Sequence, residues 1–291
     1  MPLIAFRKEG GAEGRSAFLP EFRQERGAEV DFASGFLRGK TVLLINGGWG
    51  GAFLLSTLNR YGARVSMIER PEKISGTLLE LERIGLSQDD FVLEIPGTGE
   101  RFQLAEEIEA VIEACGTIDI LIQNLLPFPP SRPAERLDRL EWEGVISEKL
   151  HQTFQVDLLL ARHFMAHGGG RIIHVVSSIP RAGLPFQAAA AAATAAVENL
   201  TRSLAYEWGR TGLRVNTLAY GHIDTPQARE HFWATPQQRE RIEETIPLGH
   251  LASQDDVIGP LLFLCSDASA YLTGTTVTVD GGVGLKQIDL G

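Results

Sequence analysis

Residues 171–209, RIIHVVSSIPRAGLPFQAAAAAATAAVENLTRSLAYEWG, decide the fold. Arg171-Ile172-Ile173-His174-Val175-Val176 is short, β-rich and mostly apolar, the pattern of a strand covered on both faces. Ser177 and Ser178 end it, and Pro180, Gly183 and Pro185 mark a loop. From Phe186 the chain turns helical: a run of alanines, then Val197, Leu200, Leu204 and Tyr206 at helical spacing.

The same unit repeats on either side. Residues 39–45 form another continuous apolar run, followed by the glycine-rich segment Asn46-Gly47-Gly48-Trp49-Gly50-Gly51, a helix over 52–61, and a strand over 62–69 that ends in Glu69. Further strands are expected at 91–95, 118–122, 212–219 and near 271–282, with helices at 75–85, 103–115, two within 137–165, and one from 255 to about 265. This alternation predicts a doubly wound parallel sheet of about seven strands with helices on both faces. One domain is expected over residues 36–291. Residues 1–35 read as an extension that packs on the domain or on a partner, since Phe6, Phe18 and Phe22 are many aromatics for a solvated tail.

Composition narrows the function classes. The chain has 291 residues, 44% of them hydrophobic and 22% charged, as in ordinary globular domains. A net charge of -10 argues against a nucleic-acid partner, whose phosphates require a basic surface. No apolar run approaches the ~20 residues of a membrane helix, and the first residues, MPLIAFRKEGGAEGRS, lack an apolar signal core, so a cytoplasmic chain is expected. Cys115 and Cys265 lie far apart without metal-like spacing, so two free thiols and no metal are expected.

The stretch at 171–209 resembles the short-chain dehydrogenase/reductase family, in which a serine closes the strand and Tyr-x-x-x-Lys sits on the next helix. The phrases Ala195-Ala196-Val197 and Leu200-Thr201-Arg202-Ser203-Leu204-Ala205 set the register. In it Ser177 takes the serine place, Ala190 the tyrosine place and Thr194 the lysine place. Asp157, within Thr153-Phe154-Gln155-Val156-Asp157-Leu158, stands for the asparagine that supports a proton relay. Tyr220-Gly221-His222-Ile223-Asp224-Thr225 resembles the turn over the nicotinamide, and residues 222–250, with Phe232, Trp233 and Ile246, resemble a substrate lid. The resemblance runs over residues 36–285 and is closest at 246–250, 255–267 and 271–282.

The expected cofactor elements are altered. A glycine turn places the pyrophosphate at a helix N-terminus, and an acid at the end of the second strand holds the ribose. The candidates are Gly47, Gly48, Gly50, Gly51 and Glu69, with Glu94 near the adenine and Asn124 at the ribose. Measured back from Gly62, the turn is about two residues shorter than the family's Thr-Gly-x-x-x-Gly-x-Gly, and Trp49 stands inside it. Gln123-Asn124-Leu125-Leu126 replaces Asn-Asn-Ala-Gly, and its leucines would occupy nucleotide space. The expectation is that this chain holds no cofactor; NAD would be the one if any, since Glu69 would repel a 2′-phosphate.

Of four residues that carry the family's proton transfer, only Ser177 remains, because Ala190 and Thr194 cannot ionise. The resemblance therefore implies a degenerate member, the inactive subunit of a hetero-oligomer whose active paralogue carries the chemistry. The pairing helices would lie around 150–165 and 187–208. The pattern is similar to that of heteromeric dehydrogenases acting on β-hydroxyacyl-CoA thioesters, including those of anaerobic toluene degradation. Two alternatives stay open. One is an active NAD-dependent oxidoreductase rewired around Ser177, Tyr220 and His222. The other is a redox-independent lyase or dehalogenase-like relative using the vacated site.

Overall fold

The computed structural model describes residues 35–46, 48–69, 79, 81–82, 92–94, 104–126, 132–183 and 185–285. The expected extension, apart from residue 35, and nearly all of the helix at 75–85 lie outside the described residues. Seven parallel strands form one sheet: β1 (Thr41–Ile45), β2 (Arg64–Ile68), β3 (Val92–Glu94), β4 (Ile120–Asn124), β5 (Gly170–Ser177), β6 (Leu213–Tyr220) and β7 (Thr276–Val279). Their order is β3-β2-β1-β4-β5-β6-β7. The chain moves outward from β1 to β3, then crosses back to β4 and runs the other way. Ligands of such sheets bind at that reversal, outside the carboxyl ends of β1 and β4.

The apolar runs become strands because both faces are covered. Every residue of β1 and β4 is buried. On one face lie α1 (Gly48–Arg60) and α8 (Asp255–Cys265), whose Leu54, Leu55, Leu58, Leu261 and Leu262 pack on Val42, Leu44, Ile120 and Ile122. On the other lie α2 (Leu104–Cys115), α4 (Gln152–Ala166) and α5 (Ala188–Trp208), which bury Val111, Leu160, Phe164, Leu204 and Trp208 against Leu43, Leu121, Ile172 and Val215. At ~25 cal/mol per Å² this two-sided burial is the main favourable term in folding. At the entry to β5 the backbone passes so close to the entry of β6 that a Cβ on Gly169, at φ +120°, would lie 2.6 Å from the Gly212 carbonyl oxygen.

Two expected elements differ. The segment 46–51 is only in part the expected glycine loop: helical bonding sets in at Gly48, four residues earlier than the apolar face of α1 suggests, while Gly50 keeps a left-handed φ of 79°. Asn46, at φ 59°, turns the chain directly out of β1, so the connection is only Asn46 and Gly47. The pair of helices expected within 137–165 is a nearly continuous rod. Asp138 and Glu141 close a capping box at the start of α3 (Arg139–Ile146), and a π-helical turn, Ser147–His151, joins it to α4.

Candidate functional site

The site is built at the carboxyl ends of β4 and β5 beneath α5. Ser177 ends β5, and its Oγ accepts a hydrogen bond from the Ile179 amide at 3.2 Å. Ala190, Ala193, Thr194 and Val197 present one buried face of α5 to it. Between them remains a cavity of about 10 Å³, also lined by Leu125, Lys149 and Val176. That is room for about one water molecule. Ser177, Ala190 and Thr194 are thus brought together, in the register expected from the sequence.

Asp157 is not with them. Its Oδ1 accepts a 2.8 Å hydrogen bond from the Gln123 side-chain amide, and the carboxylate pairs with His174 Nε2 at 3.1 Å. The other ring nitrogen of His174 lies 2.8 Å from Thr201 Oγ1, which meets Thr217 Oγ1 at 2.8 Å. All five residues are 1% exposed or less. This is a dry polar seam tying β4, β5 and β6 to α4 and α5, satisfied as buried polar groups must be.

The residue that reaches the cavity from the rod is Lys149, which sequence reasoning missed. It sits in the π turn, and its side chain is 10% exposed. Its Nζ donates to the Leu125 carbonyl oxygen and lies 3.9 Å from the Glu148 carboxylate. Single π turns inside α-helices are frequent at functional sites. A signal existed: Val145, Lys149, Thr153, Val156 and Leu160 follow helical spacing along the buried face, so the lysine stands in an apolar phase.

The alternative trio does not assemble at this cavity. Ser177 and Tyr220 are cross-strand neighbours, but the Tyr220 ring packs on the opposite face, in the cluster with α1 and α8. Its hydroxyl has no hydrogen-bond partner among the described residues, and burial, helped by Cys265, pushes its pKa well above the usual phenol value. Such a phenol neither gives nor takes a proton near neutral pH. Tyr220→Phe is therefore expected to raise stability by about 1 kcal/mol in denaturant melts, because it removes an orphaned buried donor. A loss of stability would show a hidden partner for the hydroxyl.

His222 stands edge-on to Trp233, with ring centroids 5.8 Å apart, and burial lowers its pKa from 6.5 to about 4. Between those values the unfolded chain binds the proton and the folded chain does not. Stability is therefore expected to fall as pH drops from 6.5 towards 4, and His222→Gln to flatten that part of the profile in equilibrium unfolding. A profile equally steep in the variant would assign the dependence to other groups. The following segment, expected to resemble a lid, folds as α6 (Pro226–His231) and α7 (Pro236–Glu243), started by Thr225 and Thr235 caps. Asp224 binds Arg229 at 2.7 Å and Arg239 at 2.8 Å, and its pKa falls to about 2, chiefly through the Arg229 hydrogen bond.

The cofactor candidates are placed as follows. Gly48, Gly50 and Gly51 lie within α1; Gly47 and the side chains of Trp49 and Glu94 lie outside the described residues. Glu69, at the end of β2, is fully buried. Asn124 is buried, and its Oδ1 accepts a long, 3.4 Å bond from the Leu126 amide. Leu125 and Leu126 part to opposite faces: Leu125 joins Val176, Val197 and Ala219 under α5, while Leu126 packs on the α1 cluster. Among the described residues no His, Cys, Asp or Glu group could hold a metal ion, and no helix is long and apolar enough to cross a membrane.

Comparison with known proteins completes the assignment. A family model described as enoyl-(acyl carrier protein) reductase matches residues 53–284, a match that begins beyond the glycine turn. The chain is similar to gluconate 5-dehydrogenase of Gluconobacter oxydans, 30% identical over 234 residues, or 80% of this chain and 90% of that one. It is also similar to a 3-oxoacyl-(acyl-carrier-protein) reductase of Thermotoga maritima, 31% identical over 73% of this chain and 83% of that one. Among solved structures, the gluconate 5-dehydrogenase of Burkholderia cenocepacia, in complex with NADP and tartrate, superposes with a TM-score of 0.74 at 27% identity, covering 87% of this chain and 99% of that one. The family-model match, the identity and coverage of the relatives and the superposition agree, and the chain belongs to the short-chain dehydrogenase/reductase family of oxidoreductases.

Proposed function

We propose that this chain is a catalytically silent short-chain dehydrogenase/reductase subunit that pairs with an active family member in a hydroxyacyl-CoA dehydrogenase complex. The observation that carries the reading is the cavity itself. Where the family's tyrosine and lysine would stand, Ala190 and Thr194 wall a space of about 10 Å³. Neither side chain transfers a proton. Proton transfer of the usual kind, worth ~10²–10⁴-fold, is missing.

The cofactor elements point the same way. A dinucleotide needs a turn whose amides face its pyrophosphate and an acid open to its ribose. Here two residues connect β1 to α1, Glu69 is buried, and Leu125 and Leu126 fill both sides of the sheet reversal. These residues do not fit a dinucleotide held in that way.

A partner is supported by what α4 and α5 leave uncovered. Phe154, Leu158 and Met165 are 40%, 38% and 37% exposed along α4. Tyr206 is 94% exposed on α5, beyond the exposed Ala188 and Ala195. Small residues on one helix and apolar ones on its neighbour admit close helix packing. The hydroxyacyl thioester class is supported by the relative named for a 3-oxoacyl-carrier substrate, which stands at the same oxidation step.

Affinity recovery of the tagged chain from its native host, followed by mass spectrometry, tests the reading. A second family member that keeps Tyr-x-x-x-Lys should be recovered in constant ratio, and the pair should oxidise a hydroxyacyl-CoA with NAD while this chain alone does not. Phe154→Glu with Leu158→Glu should break the pair. Recovery of the chain only with copies of itself, active alone, would overturn the proposal.

A further inference from the structure

Lys149 belongs neither to the polar seam around Asp157 nor to the lid, yet it is buried. A buried ammonium is tolerated only when paired, since desolvation costs several kcal/mol. The pairing here is specific. The Nζ donates to the carbonyl of Leu125, the first residue past β4, whose own amide continues the ladder to the Val175 carbonyl at 2.9 Å. Glu148 sets a carboxylate 3.9 Å from the Nζ at the rim. Lys149 lines a mostly apolar cavity together with Leu125, Val176, Ala193 and Val197, with Ser177 and Thr194 as its polar spots. The lysine sits in a single π turn, a rare element frequent at functional sites. With the lysine in place, the cavity left over is about 10 Å³.

We infer that Lys149 is an internal ligand that closes this site, and that the space it fills is a pocket for a primary alkylammonium ion. The pocket has an acceptor at its end, a carboxylate at its rim and apolar walls. Its complement is a short alkyl chain ending in a group with three N–H donors and no acceptor. By holding the Leu125 carbonyl, Lys149 also fixes the residues after β4 at the sheet reversal, where any ligand would enter. The closure deepens the reading of a silent subunit and rests on it. Its test reads thermal stability rather than NAD binding, so each can fail without the other.

Lys149→Ala in the full chain removes three carbons and the ammonium, which n-propylammonium restores. The expected result is a melting temperature lower by about 5 °C or more. Added n-propylammonium chloride should recover part of that loss in a saturable way. It should leave wild type unmoved, and n-propanol or tetramethylammonium chloride at equal concentration should not replace it. An unchanged melting temperature in the variant, or rescue by n-propanol equal to that by n-propylammonium, would overturn the inference. If Lys149→Ala does not fold, Lys149→Met decides. It keeps the stem and loses the donor, and it should melt below wild type; melting at or above wild type would overturn the inference.

Discussion

Asp157→Ala should lower stability by about 3–5 kcal/mol in equilibrium unfolding, the largest loss expected from a single change in this chain. The carboxylate accepts from Gln123 and pairs with His174, with every partner out of water. Removing it leaves an amide donor and an imidazole unsatisfied in a medium where each unmade bond costs about 1–3 kcal/mol. Asp157→Asn, which keeps one acceptor oxygen, should lose less. Ser177→Ala, at the cavity, should lose under about 1 kcal/mol. If Asp157→Ala were nearly neutral while Ser177→Ala were costly, the polar seam would not be the structural tie described. The same comparison separates Asp157 from a proton relay, because its partners belong to the sheet core and not to the cavity.

Ala190→Tyr should neither restore chemistry nor be tolerated. The phenol returns to the family's position, but the cavity there is about 10 Å³ and the buried Lys149 lines it. Overpacking of this kind costs about 1–3 kcal/mol, more where backbone lies behind the site. The loss should be partly relieved in Ala190→Tyr combined with Lys149→Ala, a coupling of about 1–3 kcal/mol between residues that compete for one volume. Denaturant melts of the two single variants and the double variant measure it. Strict additivity would show that the two side chains do not share the space, and NAD-dependent turnover by Ala190→Tyr alone would refute the closed site.

The sheet was legible because parallel strands covered on both faces leave continuous apolar runs, and residues 41–45 and 120–122 could hardly be anything else. The helix of α5 was equally plain, and Ser177, Ala190 and Thr194 line one cavity. The glycine segment was legible in part: Gly50 does take a left-handed φ that favours glycine, but Asn46 makes the turn out of β1 and helical bonding already starts at Gly48. The rod from Arg139 to Ala166 misled because both polar residues are buried along it: Lys149 lines the cavity, whereas Asp157, eight residues on, is taken up by Gln123 and His174 in the sheet core. The orientation of Tyr220 was in principle readable. Leu218 and Tyr220 share one face of β6 and Ala219 the other, as period-two alternation requires, and that face is the α1 side.

Calorimetric titration of the chain, purified alone to homogeneity, with NADH and NAD⁺ tests the central claim most directly. The two-residue connection, the buried Glu69 and the leucines at the sheet reversal predict no saturable heat up to millimolar nucleotide, and no turnover of hydroxyacyl-CoA. Saturable binding accompanied by turnover that survives purification would contradict the account and return the search for the acid/base to the side chains around Ser177.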